Sequence, residues 1–115
     1  MRSVVRGCLK AIGIKEIVEA VNGEEAFAVV QSQQVNLIIC DWAMPTMNGT
    51  ELLKKLRENE NYKDIPFLML TGNADAELVS ESITLGVDAF VIKPFKPQTL
   101  CDKVIGMLKK RTVQN

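Results

Sequence analysis

Residues 38–49 read IICDWAMPTMNG: an apolar run ends on one carboxylate, Asp41, and Trp42, Pro45 and the pair Asn48-Gly49 follow it. With Leu37 in front, the segment LIIC is uniformly apolar, as a strand covered on both faces must be. Asn48 is placed to cap a helix, and Glu51 three residues on completes a capping-box pattern. Leu52, Leu53 and Leu56 give that helix an apolar stripe. The stretch therefore reads as strand, loop and helix, with a lone aspartate at the strand's carboxyl end.

The same unit recurs on both sides. Upstream, Val4, Val5, Cys8, Leu9 and Ile12 mark an amphipathic helix that Gly13 closes. Residues 16–21 (EIVEAV) predict a short strand, and Asn22 with Glu25 opens a helix whose buried face carries Ala26, Phe27, Val29 and Val30. Downstream, residues 65–70 (IPFLML) predict a buried strand with Pro66 near its start, where a missing N–H is tolerated. Leu78, Val79, Ile83 and Leu85 form a helix face ended by Gly86, and residues 89–92 (AFVI) a further strand. Leu100, Val104 and Leu108 mark the last helix, with Pro97 in its first turn. The order α-β-α-β-α-β-α-β-α predicts an α/β fold, an open parallel sheet covered by helices. Residues 1–115 contain no repeat or linker and read as a single domain.

Composition narrows the partners. Fourteen Lys and Arg balance fourteen Asp and Glu, which gives no basic surface for nucleic acid or membrane. No apolar run approaches the ~18 residues of a membrane span, and no basic-then-apolar leader opens the chain, so the expected location is cytoplasmic. Cys8, Cys40 and Cys101 are odd in number and widely spaced, and the chain has no histidine. That argues against a disulfide framework or a zinc site and predicts three small buried hydrophobes. Met44, Met47 and Met69 read as packing residues, and Asp64 and Asp88 as turn or strand-start residues.

Ligands of open α/β sheets bind outside the carboxyl ends of the strands. Three successive strands end in Asp41, in Thr71-Gly72-Asn73 and in Lys93-Pro94, so parallel pairing brings a carboxylate, a hydroxyl and an ammonium to one rim. Such a set suits phosphoryl transfer to the carboxylate, with the ammonium and hydroxyl binding phosphate oxygens. An Asp–Lys pair alone is weak evidence, because such pairs are commonly structural ion pairs.

The full pattern, DW-x-MP-x-M-x-G at residues 41–49, Thr71, and VIKPF at residues 91–95, resembles the receiver domain of two-component response regulators, of the CheY-like chemotaxis type. The spacings of thirty residues from Asp41 to Thr71 and twenty-two from Thr71 to Lys93 also match that family. The resemblance implies a flavodoxin-like three-layer sandwich. It makes Asp41 the acceptor of phosphate from a histidine kinase, Thr71 and Phe90 the switch residues, and Lys93 the phosphate contact. It implies Mg²⁺ held by Asp41, the Ala43 carbonyl and an acidic pair, and a phosphoacceptor switch rather than an enzyme with independent turnover. Its output would be a downstream protein, such as a flagellar motor switch component, reached through residues 74–85, Phe90 and residues 97–108. Trp42 beside the acceptor reads either as an exposed interaction residue or, the favoured reading, as a shield for the acidic site.

That acidic pair belongs to the family's first strand, and this sequence begins within the part resembling the helix that follows it. The expectation is a fold of about four strands with weak Mg²⁺ binding and impaired phosphorylation, and with strand edges open to a homodimer or a swapped assembly. An acidic pair encoded just upstream of Met1 would make it a shortened form of an ordinary receiver. A phosphorylation-independent, protein-binding pseudo-receiver is the alternative within the fold. A small α/β enzyme is the alternative outside it, disfavoured by the absence of histidine, G-x-S-x-G and a glycine-rich phosphate loop.

Overall fold

The computed structural model describes residues 2–14, 16–20, 22–43, 47–72 and 76–114; the readings made on Val21, Met44, Pro45, Asn73 and Ala74 lie outside these. In chain order the elements are α1 (Arg2–Ala11), α2 (Gly23–Ser32), β1 (Ile38–Asp41), α3 (Gly49–Arg57), β2 (Phe67–Thr71), α4 (Ala76–Thr84), β3 (Ala89–Ile92) and α5 (Pro97–Gln114). They fall into two compact units, Glu19–Lys93 and the remainder.

The larger unit holds a parallel sheet of order β1-β2-β3. Ile38 pairs with Phe67 and Asp41 with Leu70; across the next ladder, Leu68 pairs with Ala89 and Thr71 with Ile92. Every residue of β2 is buried, as its apolar run FLML demands and with Thr71 included, whereas Cys40 is the one fully buried residue of β1. Among the described residues β1 pairs with β2 alone, which makes it an edge strand. Phe27 and Val30 from α2, Leu52, Leu53 and Leu56 from α3, and Cys40, Phe67 and Met69 from the sheet form one core cluster. Each such side chain, fully buried, contributes roughly 1.5–3 kcal/mol. Met47 packs against the cluster and Met69 belongs to it, the role expected of both.

The expected strand at residues 16–21 is not formed: residues 16–20 have no regular structure. A strand exists only through the ladder its backbone enters, and the described residues offer this segment none. The sheet therefore has three strands among the described residues, not about four.

The helix ends follow their chemistry. Asn22 accepts from the Glu25 N–H at 2.8 Å. Asn48 and Glu51 close a full capping box on α3. Gly86, at φ 91°, ends α4 with its own N–H donating to the Ile83 carbonyl and the Val87 N–H to the Ser82 carbonyl, each at 3.0 Å. This is the paired bonding of a left-handed glycine cap. The buried face of α4 is Leu78 and Ser82; Ile83, expected inside, is 64% exposed. Leu78 and Ser82 lie one turn apart and point the same way, and the next residue turns away by about 100°.

In the smaller unit α1 packs against α5. Gly13, at φ 95°, closes α1 by the same double bonding, Gly13 N–H to Lys10 and Ile14 N–H to Leu9. Cys8 and Cys101 form a disulfide, with Cα atoms 5.7 Å apart. This corrects the reading of three separate thiols: Cys40 lies outside the bridge, buried in the core cluster. Spacing along the sequence held no sign of the pair, because its members are 93 residues apart.

Candidate functional site

Asp41 is the last residue of β1, Thr71 the last of β2, and Lys93 follows β3 directly. The ladder continues past the strand ends: the Trp42 N–H donates to the Leu70 carbonyl at 2.8 Å, and the Lys93 N–H to the Thr71 carbonyl at 2.7 Å. Sheet register thus brings all three residues to one rim, as expected from the strand-end pattern. Lys93 Nζ donates to Asp41 Oδ2 in an ion pair. Their side chains are 24% and 36% exposed, so water reaches the pair.

The other carboxylate oxygen is also held. Asp41 Oδ1 accepts from the Ala43 N–H at 3.1 Å. This bond was not anticipated, since Ala43 entered the reading only as a carbonyl ligand. Its signal was present, because aspartate side chains commonly bond the backbone two residues on. The turn fixes the carboxylate's rotation at the strand end.

Thr71 is 1% exposed, so its hydroxyl lies beneath the rim. Phe90, paired in register with Met69, is partly buried against the core cluster. Trp42 is likewise packed against the cluster, and its buried Nε1 meets no hydrogen-bond partner among the described residues. Burial pushes the Cys40 thiol up to about 12, and the neighbouring Asp41 charge adds to the effect. Cys40 therefore stays a protonated core residue.

Gly49 closes the loop beside the site. Its N–H donates to the Trp42 carbonyl at 2.9 Å, and a Cβ there would stand 2.9 Å from the Trp42 Cα. Backbone that close leaves room only for hydrogen, which explains the glycine in the quoted motif.

The family model for the response regulator receiver domain matches residues 1–105. This chain belongs to that family. The receiver is 36% identical over 109 residues to a chemotaxis protein CheY homolog of Campylobacter jejuni, covering 94% of this chain and 84% of the relative. It is 34% identical over 105 residues to chemotaxis protein CheY1 of Helicobacter pylori, covering 90% and 85%. Among solved structures, the chemotaxis response regulator CheY4 of Vibrio cholerae superposes with a TM-score of 0.83 at 35% identity, covering 92% of this chain and 88% of that one. A CheY-like receiver domain from Methanospirillum hungatei gives 0.87 at 29% identity, covering 99% and 88%. The chain is thus a CheY-like receiver of two-component signalling with a flavodoxin-like fold, and receivers are signalling proteins rather than classical enzymes.

Receiver domains generally use Mg²⁺ for phosphorylation. The residues described at this rim do not fit that ion. Both Asp41 oxygens are engaged, one by an ammonium and one by an N–H. No group of three His, Cys, Asp or Glu gathers anywhere among the described residues. An octahedral Mg²⁺ site takes oxygen ligands and normally more than one carboxylate or phosphate oxygen.

Proposed function

We propose that this receiver accepts a phosphoryl group on Asp41 from the phosphohistidine of a histidine kinase, and does so slowly. The observation that carries the reading is the Asp41–Lys93 ion pair at the ends of adjacent parallel strands, with Thr71 between them. In the transfer, an Asp41 carboxylate oxygen forms a bond to phosphorus as the phosphorus–imidazole nitrogen bond breaks. The imidazole leaves with that electron pair. Lys93 gives up its bond to Asp41 and moves to an equatorial phosphoryl oxygen, where negative charge accumulates. The Ala43 N–H holds the carboxylate in its attacking orientation. Thr71 then bonds the phosphoryl group, and Phe90 changes its burial in step.

The slow rate follows from the donor set. Lys93 supplies one positive charge, and the described residues of the rim bring no cluster of carboxylates that would hold a second. The signal passes by binding to a downstream protein in the cytoplasm, with no substrate turnover. The chain also pairs with a second copy through the edge of β1 that enters no ladder among the described residues.

Incubation with phosphoramidate or acetyl phosphate, followed by intact mass and peptide mapping, tests the site. The expected result is slow labelling confined to Asp41, absent in Asp41→Asn and nearly indifferent to Mg²⁺. Efficient Mg²⁺-dependent labelling would overturn the metal-poor assignment; labelling that survives Asp41→Asn would overturn the acceptor. No labelling of the folded protein, with no response to beryllofluoride, favours a protein-binding pseudo-receiver. The occupied state of both Asp41 oxygens is the observation on that side.

A further inference from the structure

We propose that Cys8 and Cys101 are a reversible thiol-oxidation site, whose disulfide ties α1 to α5. The two residues lie on packed helices of one compact unit, with Cα atoms 5.7 Å apart. That lies within the 4.4–6.8 Å range in which a disulfide closes without backbone movement. The dithiol form is accommodated too. Cys8 Sγ lies 3.9 Å from the Pro97 carbonyl in the first turn of α5, a weak acceptor for its S–H once the bond is open. Neither state therefore leaves a buried polar group stranded, which is what a reversible pair requires.

The exposures set the order of events. Cys101 is partly exposed, and Cys8 is buried. The Cys101 thiolate attacks one sulfur of a small-molecule disulfide of the glutathione class. A bond forms to Cys101 Sγ, and the other half of the reagent leaves as a thiolate. Cys8, as its thiolate, then attacks Cys101 Sγ and expels the second half. The two cysteines lose two electrons and two protons in all, and the reagent becomes two thiols. Cys40 takes no part, because it is buried with its thiol held protonated.

The test uses the full chain, equilibrated in mixtures of reduced and oxidised glutathione, quenched with acid, unfolded and alkylated. Intact mass is expected to show three alkyl groups in reducing mixtures and one in oxidising mixtures. Peptide mapping should place the single alkyl group on Cys40 and recover a Cys8–Cys101 bridge within one chain. Closing a loop of this length should raise the melting midpoint by about 10–20 °C. Cys8→Ser should stop at the mixed disulfide on Cys101 and show no such rise. Three alkyl groups at every ratio, a stable glutathione adduct without bridging in the native chain, or a bridge to Cys40 or to a second chain would each overturn the proposal. So would an equal rise in Cys8→Ser; should that variant fail to fold, the alkylation pattern of the native chain decides alone.

Discussion

At the scale of single residues, Cys40 makes the most direct test of what surrounds Asp41. The thiol is 4% exposed and its pKa is raised from 9.0 to about 12, by burial first and by the Asp41 charge second. The native state therefore holds this proton when the unfolded state has released it. Between pH 9 and 12 the unfolded chain binds fewer protons, so stability falls as pH rises, and below pH 9 the contribution is constant. By pH 11 the loss from this one group amounts to about 2–3 kcal/mol. Urea titrations of the oxidised protein from pH 8 to 11 should show that decline, and Cys40→Ala should lower overall stability while flattening the slope. An unchanged slope in the variant would mean that the thiol is not shielded as described. The Asp41 turn belongs to this scale as well, because one N–H from Ala43 fixes a rotation that Lys93 alone leaves open.

Between elements, Arg57 performs a joining role at the sheet end opposite the candidate site. From α3 its guanidinium donates to the Gly86 carbonyl at 2.9 and 3.1 Å, to the Ile65 carbonyl at 2.8 Å and to Asp88 Oδ2 at 3.0 Å. Asp88 Oδ2 also accepts from the Phe67 N–H at 2.8 Å, tying the start of β2 to the approach to β3. Removing the fork leaves two carbonyls and a carboxylate to find water, so Arg57→Ala should cost about 2–3 kcal/mol in urea unfolding. Arg57→Lys should recover little of it, since one ammonium cannot span those acceptors. A midpoint unchanged in Arg57→Ala would refute the joining role. In sequence Asp88 has only the look of a turn or strand-start residue, because its partners at 21 and 31 residues' distance leave no local mark. Caps and glycine stops were legible because their chemistry is local. The rim of Asp41, Thr71 and Lys93 was legible because parallel pairing aligns strand ends. The face of α4 was not, since Ser82 points inward where apolar periodicity favoured Ile83. Nor could apolarity alone make a strand of residues 16–20, because pairing is a property of two segments.

For the molecule as a whole, the edge of the sheet decides its tendency to associate. The N–H groups of Ile38 and Trp42 point to β2, so the alternation of a strand turns the backbone groups of Ile39 away from it. No hydrogen bond satisfies them among the described residues. Ile38 and Ile39 on this edge are partly exposed apolar residues, and the chain's formal charge at pH 7 is zero, so little electrostatic repulsion opposes a second copy. The expected outcome is a dimer that grows with concentration in sedimentation velocity, accompanied by a melting midpoint that rises with concentration. Ile39→Pro is the informative variant. It removes an N–H that faces away from β2, and proline is tolerated on an edge strand, so the β1–β2 ladder should survive while pairing with a second chain is blocked. The variant should sediment as a monomer at every concentration with its far-ultraviolet spectrum intact. A native protein that is itself monodisperse and monomeric, with a concentration-independent midpoint, would show that the β1 edge takes no second strand.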